Sequence, residues 1–161
     1  MNFDDLSDDD MDALRAMAKR VTNPGARWVD KPGHRQRNLK VISDKYQFEI
    51  YQRQNLNDET DFSCGLRVIK PDGTTLTLCR YNGSSHAHDE IDYCCHIHKA
   101  TAQEIRAGRK PERHADETNR YDSIRGATHC IMLDCNITGF QDFEPDQPNL
   151  FQARGGNNAD N

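Results

Sequence analysis

Residues 62–81 read FSCGLRVIKPDGTTLTLCRY, and this stretch decides the fold that the sequence predicts. Apolar residues fall at every second position in its first part, which is the period of a strand with one buried face. The tetrapeptide Lys-Pro-Asp-Gly at positions 70–73 favours a tight turn, because proline presets the first corner and glycine tolerates positive φ. A second alternating segment follows the turn. We therefore predict a β-hairpin over residues 62–81.

The second strand of this hairpin carries the first residues of functional interest. Simple alternation gives it two faces, one with Leu76, Leu78 and Arg80 and the other with Thr75, Thr77, Cys79 and Tyr81. In this register Arg80 can point inward, and a buried guanidinium needs an anionic partner. Asp92, Glu90 or a bound phosphate would provide one.

Two helices are predicted, one near each end of these strands. Ser7 is a suitable N-cap, and the aspartates that follow it complement the positive end of a helix dipole. Helical spacing then continues through Met11, Leu14, Met17, Ala18 and Val21, and Asn-Pro-Gly at 23–25 ends it. After Ser123, a second apolar stripe suited to packing on a sheet consists of Ile124, Ala127, Ile131 and Cys135.

The other segments have weaker patterns. Residues 24–38 contain two Pro-Gly pairs and are predicted to be a loop, with Trp28 as a packing anchor. Alternating apolar residues predict strands near 46–51 and over 91–98. A short helix is predicted over 100–107, and an exposed basic loop should follow it.

Together these elements predict an α+β domain over residues 1–144. We expect a curved antiparallel sheet of about four strands, packed by the N- and C-terminal helices. The chain has 161 residues, of which 35% are hydrophobic, and a mean hydropathy of −0.95, so its core should be modest. Residues 145–161, rich in Gln, Asn, Gly and Asp, are expected to form a disordered tail.

Hydropathy, charge and cysteine content indicate the cellular compartment in which the protein is expected. No apolar run approaches the roughly 18–20 residues that span a bilayer, and the acidic N-terminus does not resemble a secretory signal. We therefore expect a soluble, cytoplasmic protein with no membrane partner. The six cysteines include no CxxC pair and are expected to be mostly buried, reduced thiols.

The net charge of −5 is unevenly distributed along the chain. Residues 1–12 carry six aspartates and no basic residue, whereas residues 13–40 carry eight basic residues and one acid. A second basic group lies between residues 106 and 113. Such groups can attract phosphates or an acidic partner, or they can be ordinary solvated surface.

Residues 80–98, RYNGSSHAHDEIDYCCHIH, hold four of the seven histidines close to Arg80 and Tyr81. On a strand, His96 and His98 would stand side by side, because residues two apart point to the same face. The loop that carries His86 and His88 returns directly into this strand and can reach the same surface.

One interpretation of this cluster is acid–base chemistry on a phosphodiester. Histidine titrates near neutral pH, so His96 and His98 can act as base and acid, with His86 assisting. Arg80 would bind the phosphate and Tyr81 would position it. Cleavage of RNA without a metal needs this set of groups, with the 2′-hydroxyl of the substrate as nucleophile. No cofactor is then required.

Two other interpretations stay open. His86, His88, His96 and His98 could ligate a divalent metal such as zinc, nickel or manganese, with Asp89 or Glu90 as an oxygen ligand. Alternatively the histidines are structural, and they lie on the wet face of a half-exposed sheet where they bond to each other and to Asp92.

The order Arg80-Tyr81-Asn82, His86, then His96-x-His98 followed by lysine resembles the signature of the TumE-like proteins and of a related bacterial and phage domain family. TumE-like proteins are small prokaryotic toxins of toxin–antitoxin pairs. The resemblance covers roughly residues 45–138. It departs at Ser85-His86, where the family carries Pro-His, and the acidic first helix lies outside the pattern.

The resemblance implies a toxin-like component of a prokaryotic or phage conflict system. Combined with the histidine cluster, it suggests action on RNA or another phosphodiester, with an antitoxin or a host defence protein as partner. Two alternatives belong to other classes. A metal-dependent hydrolase would use the His-x-His pair, and a non-enzymatic inhibitor would use the acidic residues 1–12 to block a host defence complex, sometimes by imitating nucleic acid.

Overall fold

The predicted hairpin lies at the centre of a larger sheet in the computed structural model, which describes residues 1–87 and 89–141. In chain order the elements are α1 (Asp8–Ala16), β1 (Lys19–Val21), β2 (Val29–Lys31), β3 (His34–Ile42), β4 (Gln47–Asn55), β5 (Phe62–Ile69), β6 (Thr75–Asn82), β7 (His96–Lys99), α2 (Ala102–Arg106), β8 (His114–Glu117), α3 (Ile124–Asp134) and β9 (Ile137–Thr138).

The strands form one sheet of order β8-β7-β6-β5-β4-β3-β1-β9, and β2 pairs with β3 outside this path. Neighbouring strands are antiparallel except β1 and β9, which are parallel. The α+β class and the mostly antiparallel sheet are therefore confirmed. The expected strand number of about four is wrong, because the described residues form nine strands.

The additional strands arise where the sequence lacks a clean apolar alternation. β3 begins inside the segment 24–38 that was expected to be a loop, and β8 lies in the expected basic loop. Arg37 is buried in β3 because its guanidinium donates to Gln52 Oε1 at 2.7 Å and stacks on Trp28. β3 therefore has no apolar alternation in its first half, because its buried polar groups bond to partners that are distant in the sequence.

The hairpin itself is confirmed. β5 and β6 pair antiparallel, and Gly73 takes a φ of +83° in the turn between them. The turn is closed by a bond from the Gly73 N–H to the Lys70 carbonyl at 2.9 Å, and by Asp72, whose carboxylate accepts from the Thr74 backbone. The tight turn predicted from Lys-Pro-Asp-Gly at 70–73 is therefore present.

The alternation along β6 differs from the prediction at one residue. Thr77 lies opposite Arg67, whereas Cys79 lies opposite Leu66. Leu78 is therefore an extra residue, which makes a β-bulge and reverses the alternation beyond it. As a result Arg80 does not share a face with Leu76, and the prediction that it does is wrong.

The helices are close to their predicted positions. The N-cap of α1 is Ser7, whose hydroxyl accepts from the Asp10 backbone while the Asp10 carboxylate accepts from the Ser7 backbone. The helix ends at Ala16, and Val21 lies in β1, so the predicted continuation of the helix through Val21 is wrong. α3 begins after the N-cap Ser123, and its predicted apolar stripe is buried.

Three further expectations concern the rest of the chain. β7 covers only the last part of the strand predicted over residues 91–98, whereas α2 confirms the short helix near 100–107. The tail at 145–161 lies outside the described residues. None of the helices in the described part of the chain is long and apolar enough to cross a membrane.

The sheet has two faces of different composition. The helix face packs against α1 and α3, and its buried side chains include Leu39, Val41, Phe48, Ile50, Phe62, Cys64, Leu66, Val68 and Tyr81. The opposite side is called the polar face here, and strand alternation places on it Tyr51, Gly65, Arg80, Asn82, His96 and His98.

Candidate functional site

Four of the residues singled out in the sequence meet on the polar face. In the antiparallel pairing of β6 with β7, Arg80 lies opposite His98 and Asn82 lies opposite His96. Tyr81 points to the helix face, where its hydroxyl donates to a carboxylate of α3. The structure therefore brings the two histidines and Arg80 together and separates Tyr81 from them by the thickness of the sheet.

His96 has partners on both ring nitrogens and is only 1% exposed. Its Nδ1 lies 3.0 Å from the Cys94 carbonyl oxygen, and its Nε2 lies 3.4 Å from Nδ2 of Asn82. Because a carbonyl oxygen only accepts, Nδ1 carries the proton and Nε2 accepts from the amide. Ser63 donates to Oδ1 of Asn82 at 3.0 Å, which fixes the orientation of that amide. These bonds select the Nδ1-protonated, neutral tautomer of His96.

His98 lies against His96 in an edge-to-face arrangement, with ring centroids 5.0 Å apart and ring planes at 68°. The side-by-side arrangement expected from the strand is therefore present. His98 is also 1% exposed, so the interpretation that places these histidines on the wet face of a half-exposed sheet is wrong for His96 and His98. The physical reason is that the polar face is itself covered by other segments near β7.

One covering segment is the loop between β6 and β7. Glu117 of β8 lies opposite His96, and the Cys94 thiol of the loop approaches the Glu117 carboxylate. Burial raises the pKa of Cys94, and Glu117 raises it further. Ile91 of the same loop is also buried. The loop that was expected to supply catalytic histidines therefore also contacts β7, through the Cys94 carbonyl and His96.

Arg80 has a carboxylate partner, as predicted for an inward guanidinium, but the partner is Glu112 rather than Asp92 or Glu90. The distance from Arg80 Nη1 to Glu112 Oε1 is 3.7 Å, and Lys110 Nζ lies 3.4 Å from the same oxygen. Glu112 is 5% exposed. The Nε of Arg80 is buried and has no hydrogen-bond acceptor among the described residues.

Tyr51 is a member of this site that the sequence reasoning missed. Its ring lies across Gly65, and a Cβ at that glycine would lie 2.2 Å from Tyr51 Cζ. Burial raises the pKa of Tyr51 to about 12, with Glu112 acting in the same direction and Arg80 in the opposite one. The phenol therefore stays protonated at neutral pH. A tyrosine facing a glycine across two strands was the available signal.

His86 lies in the exposed part of the β6–β7 loop, where its Nδ1 is 2.8 Å from Ser85 Oγ. His88 lies outside the described residues. Across residues 1–87 and 89–141, no group of three or more His, Cys, Asp or Glu side chains is arranged to hold a metal ion. In this part of the chain, His86, His96 and His98 therefore do not form the predicted metal site.

Tyr81 belongs to a second polar group, beside a cleft of about 400 Å³ on the helix face. Its hydroxyl donates to Asp134, which Arg120 also holds through two bonds of 2.7 and 2.8 Å. The bonds from Arg120 lower the pKa of Asp134. Arg15 and Lys99 line the same cleft, so the lysine that follows His98 faces away from both buried histidines.

The acidic N-terminus has structural roles in part. Asp10 completes the N-cap of α1, and Asp8 accepts a 2.7 Å bond from the Ala102 backbone at the start of α2. Asp4 and Asp9 remain exposed. Asp5, Asp8 and Asp12 are exposed as well, so five of the six aspartates face solvent and only Asp10 is half-buried.

The polar face thus combines an imidazole on β7, a guanidinium on β6 and a protonated phenol on β4, whose ring lies across Gly65 of β5. Its nearest carboxylate, Glu112, is shared between Arg80 and Lys110. Comparisons of the chain with protein-family models, with curated proteins and with solved structures find no match.

Proposed function

We propose that the protein is a toxin-like component of a prokaryotic or phage conflict system that acts on RNA or another phosphodiester at the polar face. The observation that carries this proposal is the position of Arg80, opposite His98, with its Nε buried and without an acceptor in the described part of the chain. A phosphate oxygen is an acceptor that satisfies a guanidinium and balances its charge.

The chemistry assigned to the site uses three side chains. Arg80 binds the phosphate and stabilises the charge that develops on it. His98 transfers the proton, because imidazole titrates near neutral pH. Tyr51, which remains protonated, donates a hydrogen bond to a phosphate oxygen beside Arg80. His96 is a positioning residue in this scheme, since its hydrogen bonds hold one tautomer against the ring of His98.

Substrate access is the main physical requirement of the proposal. His98 is almost completely buried, so a phosphodiester can reach it only if a covering segment moves; we assign this role to the β6–β7 loop, whose Cys94 carbonyl contacts the neighbouring His96. Loops of this kind open on microsecond to second timescales and frequently gate active sites. His86 in the exposed part of the loop can then assist at the entrance.

The test is cleavage of a mixed-sequence single-stranded RNA by the full chain, with detection of 2′,3′-cyclic phosphate ends. We expect His98→Gln and Arg80→Met to lower the rate by about 10²–10⁴-fold. His114→Gln is the matched control, because His114 is an exposed histidine on the edge strand β8. Circular dichroism and a melting curve establish that each variant is folded. A folded His98→Gln variant with wild-type activity would overturn the proposal, as would a wild-type protein that cleaves no RNA.

The inhibitor hypothesis is tested in cells, with the same His98→Gln variant and one additional double variant. Asp4→Asn with Asp9→Asn removes two exposed carboxylates and leaves the bonds of Asp8 and Asp10 in place. If toxicity or anti-defence activity in cells depends on these two aspartates and survives His98→Gln, the protein is an acidic inhibitor instead of an enzyme.

A further inference from the structure

Two thiols on different elements lie in contact beneath the cleft on the helix face. Cys79 Sγ on β6 and Cys135 Sγ at the C-terminal end of α3 are 3.8 Å apart, although the residues are 56 positions apart in the sequence. A disulfide has an S–S distance of about 2.05 Å. Small side-chain rotations can therefore close the gap without rebuilding the sheet.

The surroundings of this pair favour its oxidation. Both cysteines line the 400 Å³ cleft, although each is only 1% exposed, so a small oxidant can approach them from the cleft. The two thiols share a hydrogen bond in which either sulfur can donate, and this contact lowers the pKa of Cys135. The cations Lys19 and Arg15 act in the same direction, whereas burial and Asp134 oppose them. A lowered thiol pKa increases the fraction of the nucleophilic thiolate.

We propose that Cys79 and Cys135 form a reversible intramolecular disulfide when the protein meets a peroxide. The Cys135 thiolate attacks one peroxide oxygen, the O–O bond breaks, and a sulfenic acid and hydroxide form. Cys79 then attacks the Cys135 sulfur, the S–O bond breaks, and a second hydroxide leaves. Both hydroxides take up the protons of the two thiols, so two thiols and one hydrogen peroxide give one disulfide and two water molecules. A dithiol reductant reverses the reaction by exchange.

The disulfide would join the end of α3 to β6, next to Tyr81 and Asp134. Because it closes a long loop, it constrains the unfolded chain and stabilises the folded protein. We expect the melting temperature to rise by roughly 5 °C or more on oxidation. This inference does not depend on the proposed function, since the bond and its effect on melting are measured on the protein alone.

The experiment treats the reduced full chain with hydrogen peroxide, counts free thiols after denaturation, and maps cross-linked peptides by mass spectrometry. We expect two of the six thiols to be lost, a peptide pair containing Cys79 and Cys135, and full recovery with dithiothreitol. Cys79→Ala and Cys135→Ala should each lose the cross-link and the melting shift. Cys64→Ala is the matched control, because Cys64 is a buried thiol in the same core whose Sγ lies 3.7 Å from the Thr128 hydroxyl.

Two outcomes would overturn the inference. In one, all six thiols survive a peroxide treatment that oxidises a small-molecule thiol in the same tube. In the other, the wild-type peptide map shows a different pair, such as Cys94 with Cys95. The wild-type map does not depend on any variant, so it is conclusive even if a substitution prevents folding.

Discussion

The helix face and the polar face bury their side chains by different physical means. On the helix face, Leu66 and Ile50 are fully buried in the apolar core and need no directional partner. On the polar face, His96 and Glu112 are buried almost as completely, but each is held by named hydrogen bonds or ion pairs. Burial of an apolar group is favourable by itself, whereas burial of a polar group is tolerated only when its partners come with it.

Because of this difference, substitutions on the two faces should lower the stability of the protein for different reasons. Removing atoms from the helix face leaves a cavity, and the cost follows the lost volume. Removing one polar partner leaves another group desolvated and unsatisfied, and the cost follows the chemistry of what remains. The polar face is also the one that carries the proposed site, so stability and function are coupled there.

The largest expected effect is on the helix face. Leu66→Ala should lower the free energy of unfolding by about 3 kcal/mol, because a fully buried leucine leaves a cavity in the centre of the sheet. Urea denaturation measures it. Thr75→Ala, at an exposed position in the same hairpin, is the control and should change stability by less than about 0.5 kcal/mol. A cost below about 1 kcal/mol for Leu66→Ala would contradict the placement of the core.

The second prediction tests whether the polar face depends on matched partners. Glu112→Ala should cost about 2 kcal/mol, because it leaves the mostly buried guanidinium of Arg80 without its carboxylate. The double variant Arg80→Met with Glu112→Leu should cost less than Glu112→Ala alone, because it removes both charges and keeps apolar volume. Equal or larger loss in the double variant would mean that the pair is not a coupled unit.

The third prediction concerns the tautomer of His96. Asn82→Ala removes the donor to Nε2 and should cost about 1–2 kcal/mol. Long-range ¹H–¹⁵N NMR of the wild-type protein should show the His96 proton on Nδ1. A wild-type spectrum with the proton on Nε2 would contradict the hydrogen-bond pattern. Ser63→Ala is the milder control, because it removes only the bond that orients the Asn82 amide.

The smallest effect lies at the rim of the helix face, where Asp134 is a polar residue beside an apolar core. Its pKa is lower in the folded than in the unfolded state, because Arg120 and Tyr81 donate to its carboxylate. Stability from this group is therefore fully present above the unfolded pKa, near 4, and is lost as the pH falls through the folded pKa. Asp134→Asn should flatten the decline of stability with acid below about pH 4. An unchanged acid profile would show that these bonds contribute nothing to folding.

Much of the fold could be predicted from local sequence. The hairpin follows from alternation around Lys-Pro-Asp-Gly, and the start of α1 follows from Ser7 with Asp10 three residues later. α3 follows from an apolar stripe with Ser123 as its cap. β3 could not be predicted in this way, because half of it is polar and Arg37 is buried through distant contacts with Gln52 and Trp28.

The candidate site was predictable only in outline. That His96 and His98 stand together follows from their spacing, and an acidic partner for Arg80 follows from its charge. The identity of Glu112 and the position of Tyr51 over Gly65 did not follow, because each comes from a segment far away in the chain. The role expected for Tyr81 was at odds with the strand pattern, because adjacent residues point to opposite faces; Tyr81 lies on the helix face and donates to Asp134.

By itself the sequence determined the local elements of this protein: the turn, the helix caps, the alternation of β4 and β5, and the closeness of two histidines on one strand. Each depends on residues within a few positions of one another, so the pattern contains the cause. Tertiary structure alone decided that these histidines are buried, that Arg80 faces Glu112, and that two cysteines 56 residues apart touch. Those facts depend on which distant segment covers each face of the sheet, and the hydrophobic periodicity of a single segment carries no information about that packing.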